Sequence, residues 1–156
     1  MRVGVISDTH GLLRPEAVRA LQGVDLIVHA GDVGKAEILT SLKKIAPVFA
    51  VRGNVDTESW AQELPETAVV QAGPVNLYVL HNLRELDLDP KAAGFAAVIS
   101  GHTHKAENRE EKGVLYLNPG SAGPRRFDLP VTVALLNLEV QPWKVEMVRL
   151  DGVVLP

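Results

Sequence analysis

Five short apolar runs in this chain each stop at a residue able to bind a metal. The run ending at Ile6-Ser7 gives way to Asp8-Thr9-His10, and the run through Ile27 and Val28 to Gly31-Asp32. A third reaches Gly53-Asn54, a fourth His81, and a fifth Gly101-His102-Thr103-His104. In open α/β sheets, ligands sit beyond the carboxyl ends of the strands. If these runs are neighbouring strands, Asp8, Asp32 and Asn54 bring three oxygen donors to one crevice. His10, His81, His102 and His104 add four imidazoles. That set is enough for two divalent metals.

Composition narrows the choice of metal and partner. The chain has no cysteine, which excludes disulfides and thiolate sites, so nitrogen and oxygen donors must suffice. Such donors favour manganese, nickel, iron, zinc or magnesium. Net charge is −3, and no lysine or arginine run exceeds the pairs Lys43-Lys44 and Arg125-Arg126. An extended nucleic-acid footprint is therefore not expected. No apolar run reaches the roughly 20 residues of a membrane-spanning helix. The opening MRVGVISD reads as a strand rather than a signal peptide, so a cytoplasmic location is expected. At 156 residues, one domain spanning 1–156 accounts for the length.

The first half alternates strand and helix. Strands are expected at 2–7, 25–30 and 47–51, with helices at 15–22 and 35–44. Val18 and Leu21 mark the buried face of the first helix; Ile38, Leu39, Leu42 and Ile45 form the stripe of the second. A short helix at 57–63 has Thr57 as its expected cap and Pro65 beyond its end. The second half is strand-rich. Residues 68–71 and 75–80 read as a hairpin around Gly73-Pro74, and a helical turn near 90–93 precedes a strand at 96–100. Further strands fall at 113–117, 131–138 and 143–149, and a short one at 153–155 could mediate pairing into a homo-oligomer. The architecture expected is a four-layer α/β/β/α sandwich, two mixed sheets flanked by helices.

Each motif alone is commonplace, but four of the five histidines fall in these slots, each after an apolar run. Gly31, Gly53 and Gly101 stand just before ligands, where they allow unusual backbone angles and close approach. His29, inside a strand, is expected to face a sheet and bond internally. Asp56 could orient Asn54 or a ligand histidine, or cap the following helix. Asn118 and Ser121 lie in a turn that could line the crevice or shape the bend. Arg125 is the candidate contact for a substrate phosphate. Trp60 and Trp143 are expected to pack rather than stack on a ligand.

Asp-x-His, Gly-Asp, Gly-Asn-x-Asp, a mid-chain histidine and Gly-His-x-His, in this order, resemble the calcineurin-like metallophosphoesterase family. The short length and Leu117-Asn118-Pro119-Gly120-Ser121, followed by Pro124-Arg125, are similar to its small YfcE-type phosphodiesterase branch. The resemblance implies one metal held by Asp8, His10, Asp32 and His104. A second would be held by Asp32, Asn54, His81 and His102, with Asp32 bridging. A shared carboxylate suits cations ~4 Å apart, because it neutralises the space between them. Water bridging the pair would lose a proton near neutrality and attack phosphorus in line. Asn54 would stabilise charge on the phosphate oxygens, and His10 or a metal-bound water is the candidate to assist the leaving group.

Two positions depart from the family pattern. Many relatives carry a histidine where this chain has Val55, which removes the usual acid and implies a preference for aryl leaving groups. A glycine often follows the mid-chain histidine, where this chain has Asn82. The implied substrate is a small phosphodiester or nucleotide. Phosphomonoester or nucleotide pyrophosphate hydrolysis on the same site is the alternative chemistry. A protein-binding scaffold of the retromer-subunit type is the non-enzymatic one.

Overall fold

From the N-terminus, the chain lays down β1 (Arg2–Ile6), α1 (Pro15–Ala20), β2 (Leu26–His29), α2 (Ala36–Lys43) and β3 (Val48–Ala50). After a 3-10 turn at Ser59–Glu63 come β4 (Thr67–Ala72), β5 (Val75–Leu80) and a second 3-10 turn at Leu83–Glu85. Then follow β6 (Phe95–Ile99), β7 (Glu107–Glu111), β8 (Val114–Asn118), β9 (Thr132–Asn137) and β10 (Lys144–Arg149). This computed structural model describes residues 1–151, and the strand expected at 153–155 lies outside them.

Two five-stranded sheets result, ordered β10-β9-β1-β2-β3 and β4-β5-β6-β8-β7. In the first, β1, β2 and β3 are parallel and β9 and β10 antiparallel. In the second, β5, β6 and β8 are parallel and β4 and β7 antiparallel. Strand alternation divides the apolar residues between two cores. Val3, Val5, Leu26 and Val28 turn inward to meet Leu77, Val79, Ala97 and Ile99 of the facing sheet. Ile6 and Ile27 turn outward under the helices, against Leu21, Ile38, Leu39 and Leu42. Burying each such side chain contributes about 1.5–3 kcal/mol. The expected sandwich is therefore the observed one. On the second sheet the outer layer is thin: Leu83, Leu86 and Leu88, from the 3-10 turn and the chain after it, cover Tyr78, Leu80 and Val98.

Local differences have local causes. Residue spacing in α1 buries Ala17 and Leu21, one turn apart, and leaves Val18 half-buried. Thr57 does not cap the segment at Ser59–Glu63, whose flanking residue is Glu58 with no side-chain cap bond. β7 has no apolar signal at all, since every residue of Glu107–Glu111 is exposed. It is an edge strand, held by its ladder to β8 and by Arg109 lying 4.4 Å over the Tyr116 ring. Among the described residues, no helix is long and apolar enough to cross a membrane.

All six parallel strands end at one rim of the sandwich. β1 delivers Asp8 and His10, β2 Asp32, β3 Asn54, β5 His81, β6 His102 and His104, and β8 Asn118.

Candidate metal centre

Asp8, His10, Asp32, His81 and His104 meet at this rim with ring nitrogens and carboxylate oxygens turned toward one another. His10 Nε2 lies 3.6 Å from Asp8 Oδ1, 3.6 Å from Asp32 Oδ2 and 3.3 Å from His104 Nε2. His81 Nε2 is 3.2 Å from Asp32 Oδ2 and 3.9 Å from Asp8 Oδ1, and His104 Nε2 is 3.4 Å from Asp8 Oδ1. Most of these separations are long for hydrogen bonds. They match donors arranged around a cation that each contacts at about 2.1 Å. Two groups of three form, one of Asp8, His10 and His104, the other of Asp8, Asp32 and His81.

Each carboxylate has one oxygen held and one turned inward. Asp8 Oδ2 accepts from Ser7 Oγ at 2.6 Å and from the His102 N–H at 3.1 Å. Asp32 Oδ1 accepts the Val55 N–H at 3.1 Å. The facing atoms Asp8 Oδ1 and His81 Nε2 are buried without a hydrogen-bond partner, as is His104 Nδ1. Orphaned buried polar atoms are expensive, and a cation would satisfy the two that face inward. His81 Nδ1 sits 2.7 Å from the carbonyl of Ala30, which can only accept; the proton is therefore on Nδ1 and the Nε2 lone pair is free to coordinate.

Electrostatics follow from the same contacts. Burial pushes the Asp8 carboxyl up, but the facing His10 and His104 imidazoles, the Ser7 hydroxyl and the charge of His81 outweigh it. They hold it well below the usual carboxylate range. Asp32 is also burdened by burial and also ends lowered, through its close charge pairing with His81 and the Val55 N–H. His81 is lowered by burial but raised more by Asp32 and Asp8, so its net shift is upward. A metal binding here competes with that proton.

The supporting residues brace the ligand loops. Buried Asp56 neither orients a ligand side chain nor caps a helix. Its carboxylate accepts the N–H groups of Val33, Gly34 and Gly53 at 3.1, 3.0 and 2.9 Å, tying the Asp32 loop to the Asn54 loop. Asn118 donates to Gly101 O and Thr103 Oγ1, and Ser121 Oγ donates to Asp8 O. His29 is fully buried and bonds internally, as expected. Its Nδ1 accepts the Gly31 N–H at 3.1 Å, so its Nε2 carries the proton toward Thr9 Oγ1, which donates in turn to Val33 O.

Asn54 and His102 stand exposed at the rim, the His102 ring edge-on to His81 with centroids 5.2 Å apart. Arg125 is exposed, its guanidinium donating to Asp128 O at 3.4 Å. Trp60 packs beneath the first sheet and Trp143 against the inter-sheet core.

Five of the eight described non-glycine residues at left-handed φ belong to this rim. Asp8, His10, Asp32, His102 and His104 all have left-handed φ, between 46° and 72°. L-residues adopt this region at a cost of roughly 1–2 kcal/mol each. Among the glycines that precede ligands, only Gly31 is left-handed, at φ 98°; Gly53 and Gly101 serve by leaving room for Asp32 and for Ser7 and Asp8.

Residues 1–141 match the family model described as the calcineurin-like phosphoesterase superfamily domain. The chain belongs to this family. A probable metallophosphoesterase of Methanothermobacter thermautotrophicus is 36% identical over 164 residues, covering 96% of this chain and 92% of the relative. A predicted phosphoesterase from Streptococcus pneumoniae superposes with TM-score 0.79 at 26% identity, over 99% of this chain and 92% of that one. Vps29 from Entamoeba histolytica, solved in complex with zinc, does so with TM-score 0.74 at 26% identity, over 97% of this chain and 100% of its own. Membership of this metallophosphoesterase family suggests a hydrolase of phosphoric esters, and the residues gathered at the rim are candidate ligands for the divalent metals that the family uses.

Ser7, Thr9 and the bracing role of Asp56 escape a reading of the sequence: Ser7 acts on the carboxylate beside it, while Thr9 and Asp56 reach the Asp32 loop more than twenty residues away. The one available signal is that small polar residues flank Asp8, His10, His102 and His104.

Two predictions follow from these observations. His102→Gly removes the left-handed cost at an exposed position, so the metal-free phosphoesterase should gain about 0.5–1 kcal/mol in urea denaturation; a loss of similar size would contradict the strain. Complete burial lowers His29 to about 4, against 6.5 for the unfolded chain. The unfolded state then binds the extra proton between these values, so stability should fall as pH drops through 6.5 toward 4. The loss should total about 3 kcal/mol. His29→Gln should flatten that slope in metal-free protein, and an unchanged slope would refute the assignment.

Proposed function

We propose that this protein is a two-metal phosphodiesterase, with manganese the first candidate ion and nickel, iron, zinc and magnesium the alternatives. The observation that carries the reading is the pair of donor groups meeting at buried, unpartnered carboxylate and imidazole atoms. In this reading Asp8, His10, Asp32 and His104 hold one ion, and Asp32, Asn54, His81 and His102 the other. Paired divalent ions, when bound, neutralise phosphate charge and lower the pKa of water to about 7. The chain supplies orientation and charge. Asp32 Oδ2 lies within 3.6 Å of His10 and 3.2 Å of His81, so it faces both histidines, as a bridging ligand must. The exposure of Asn54 at the rim supports a further role for its amide, donating to phosphate oxygens as charge develops there.

Val55 contributes no acid. Its side chain is 44% exposed and its N–H is committed to Asp32 Oδ1. Aryl leaving groups, which depart without protonation, are therefore favoured over alkyl ones. The preference for diesters over monoesters is supported by two cavities of about 570 and 270 Å³, one on each side of Asn82 and His102. A phosphate with two substituents uses both; a monoester uses one. Monoester or pyrophosphate hydrolysis on the same residues is the alternative chemistry. The substrate in this reading is a small diester or nucleotide met in the cytoplasm, away from membranes and extended nucleic acid.

Likeness to Vps29 favours a second reading, a protein-binding scaffold. The intact buried donor set weighs against it, because charges kept in the interior without an ion carry desolvation cost and no return.

Manganese-reconstituted protein should hydrolyse bis-p-nitrophenyl phosphate and lose that activity in chelator. Asp32→Asn should lower kcat/KM at least about a hundredfold with circular dichroism unchanged. Activity indifferent to chelator, or to this substitution, would overturn the assignment.

A further inference from the structure

The two cavities beside the centre share a ridge, since Asn82 and His102 line both, but their walls differ. The wider, about 570 Å³, has the size of clefts that enclose a small organic ligand. Its wall offers donors that the protein leaves unused. Asn82 Oδ1 accepts the Arg84 N–H at 3.1 Å, while the Asn82 Nδ2 donors have no partner among the described residues. Thr103 Oγ1 accepts from Asn118 Nδ2 at 3.1 Å and from the Lys105 N–H at 3.2 Å. Both lone pairs are then used, and its O–H can only donate. Ser100 is 5% exposed and lines the same cavity, yet its hydroxyl bonds none of the described residues. Buried hydroxyls are normally bonded, so this wall suits a ligand rich in acceptors.

The charge on the wall has the matching sign. Its one carboxylate, Glu107, is paired with Arg109 at 2.9 Å, and Arg109 also holds Glu111 at 2.6 Å. The Arg84 guanidinium on the same wall has no ion-pair or hydrogen-bond partner among the described residues. A free guanidinium beside unpaired hydroxyl donors is the chemistry that binds phosphate oxygens. The narrower cavity, about 270 Å³, sets no such cation aside. Its Arg52 is engaged, at 3.0 Å from Gln62 and 3.1 Å from Glu66, and Glu85 shares its wall.

Resting on the phosphodiesterase reading, we infer that the wider cavity is a subsite for a second phosphate, carried on the larger arm of the diester and held by Arg84, Ser100 and Thr103. The arm in the narrower cavity is uncharged. The substrate class is a small diester with one phosphorylated substituent, such as a nucleoside arm bearing a further phosphate.

The test compares thymidine 5′-(p-nitrophenyl phosphate) with the same compound phosphorylated at the 3′ hydroxyl, on manganese-loaded protein. Two quantities are read: kcat/KM from nitrophenolate release, and Kd by calorimetry with the corresponding uncleavable phosphonates. The added phosphate should improve both by roughly tenfold at low ionic strength, with the advantage shrinking as salt is raised. Arg84 is exposed, so Arg84→Gln should fold, and it should cut the advantage to about threefold or less. Ser100→Ala removes a hydroxyl that no described residue uses, and it should also reduce the advantage. Lys43→Gln takes the same charge as Arg84→Gln from an exposed position at the end of α2, and should leave the advantage whole. Equal or poorer handling of the phosphorylated compound would overturn the inference. So would an advantage that Arg84→Gln leaves untouched, or that Lys43→Gln erodes equally. Absence of turnover on both compounds, with the Kd advantage intact, would sink the hydrolase reading and leave the phosphate subsite standing.

Discussion

Two carboxylates and three imidazoles buried 3.2–3.9 Å from one another are not a self-sustaining arrangement. Their lone pairs converge, and each charged group pays several kcal/mol for leaving water. What holds them is the surrounding backbone. Ser7 and the His102 N–H fix one side of Asp8, the Val55 N–H fixes Asp32, and the Ala30 carbonyl fixes His81. Each of these contacts orients a donor inward and leaves its coordinating atom unpaired. The centre is preorganised for a cation at the expense of the metal-free fold.

The left-handed residues belong to the same balance. Five ligand residues sit at positive φ, where an L side chain is strained, and the loops bearing them are tied down by distant partners. Asp56 joins the Asp32 and Asn54 loops through three N–H bonds, and Ser121 and Asn118 bind the loops of Asp8 and His102. Strain of this kind persists only where neighbours over-determine the geometry, and it gathers at functional sites. Parallel strands in both sheets make this possible. They bring six carboxyl ends to one rim, so that ligands from residue 8 to residue 104 share a space a few ångströms across.

Much of this was legible in the chain before any coordinates. Apolar runs that end at Asp8, Asp32, His81 and His102 announce both the strands and the rim, because burial on two faces demands continuous apolar residues and the ligand must begin where burial ends. His29 was legible too, since alternation in β2 places it opposite Leu26 and Val28. Other parts were not. β7 is built from exposed polar residues and stabilised by pairing alone; only the turn at Lys112-Gly113, both at positive φ, marks its end. Thr57 looks like a cap, yet the segment starts at Ser59 with Glu58 before it, while Asp56 reaches the Asp32 loop across the fold, which no local pattern encodes. Left-handed φ at aspartate and histidine is likewise a tertiary outcome, invisible to rules that look for glycine.

The claim beneath all of this is that the buried donors form a paired-cation site. Anomalous diffraction at the manganese edge, from crystals grown with the ion, measures it most directly. The account predicts two peaks roughly 3.5–4 Å apart, one beside His10 and His104, the other beside His81, with Asp32 between them. No peak at these side chains, or a single ion bound away from both Asp8 and Asp32, would contradict it.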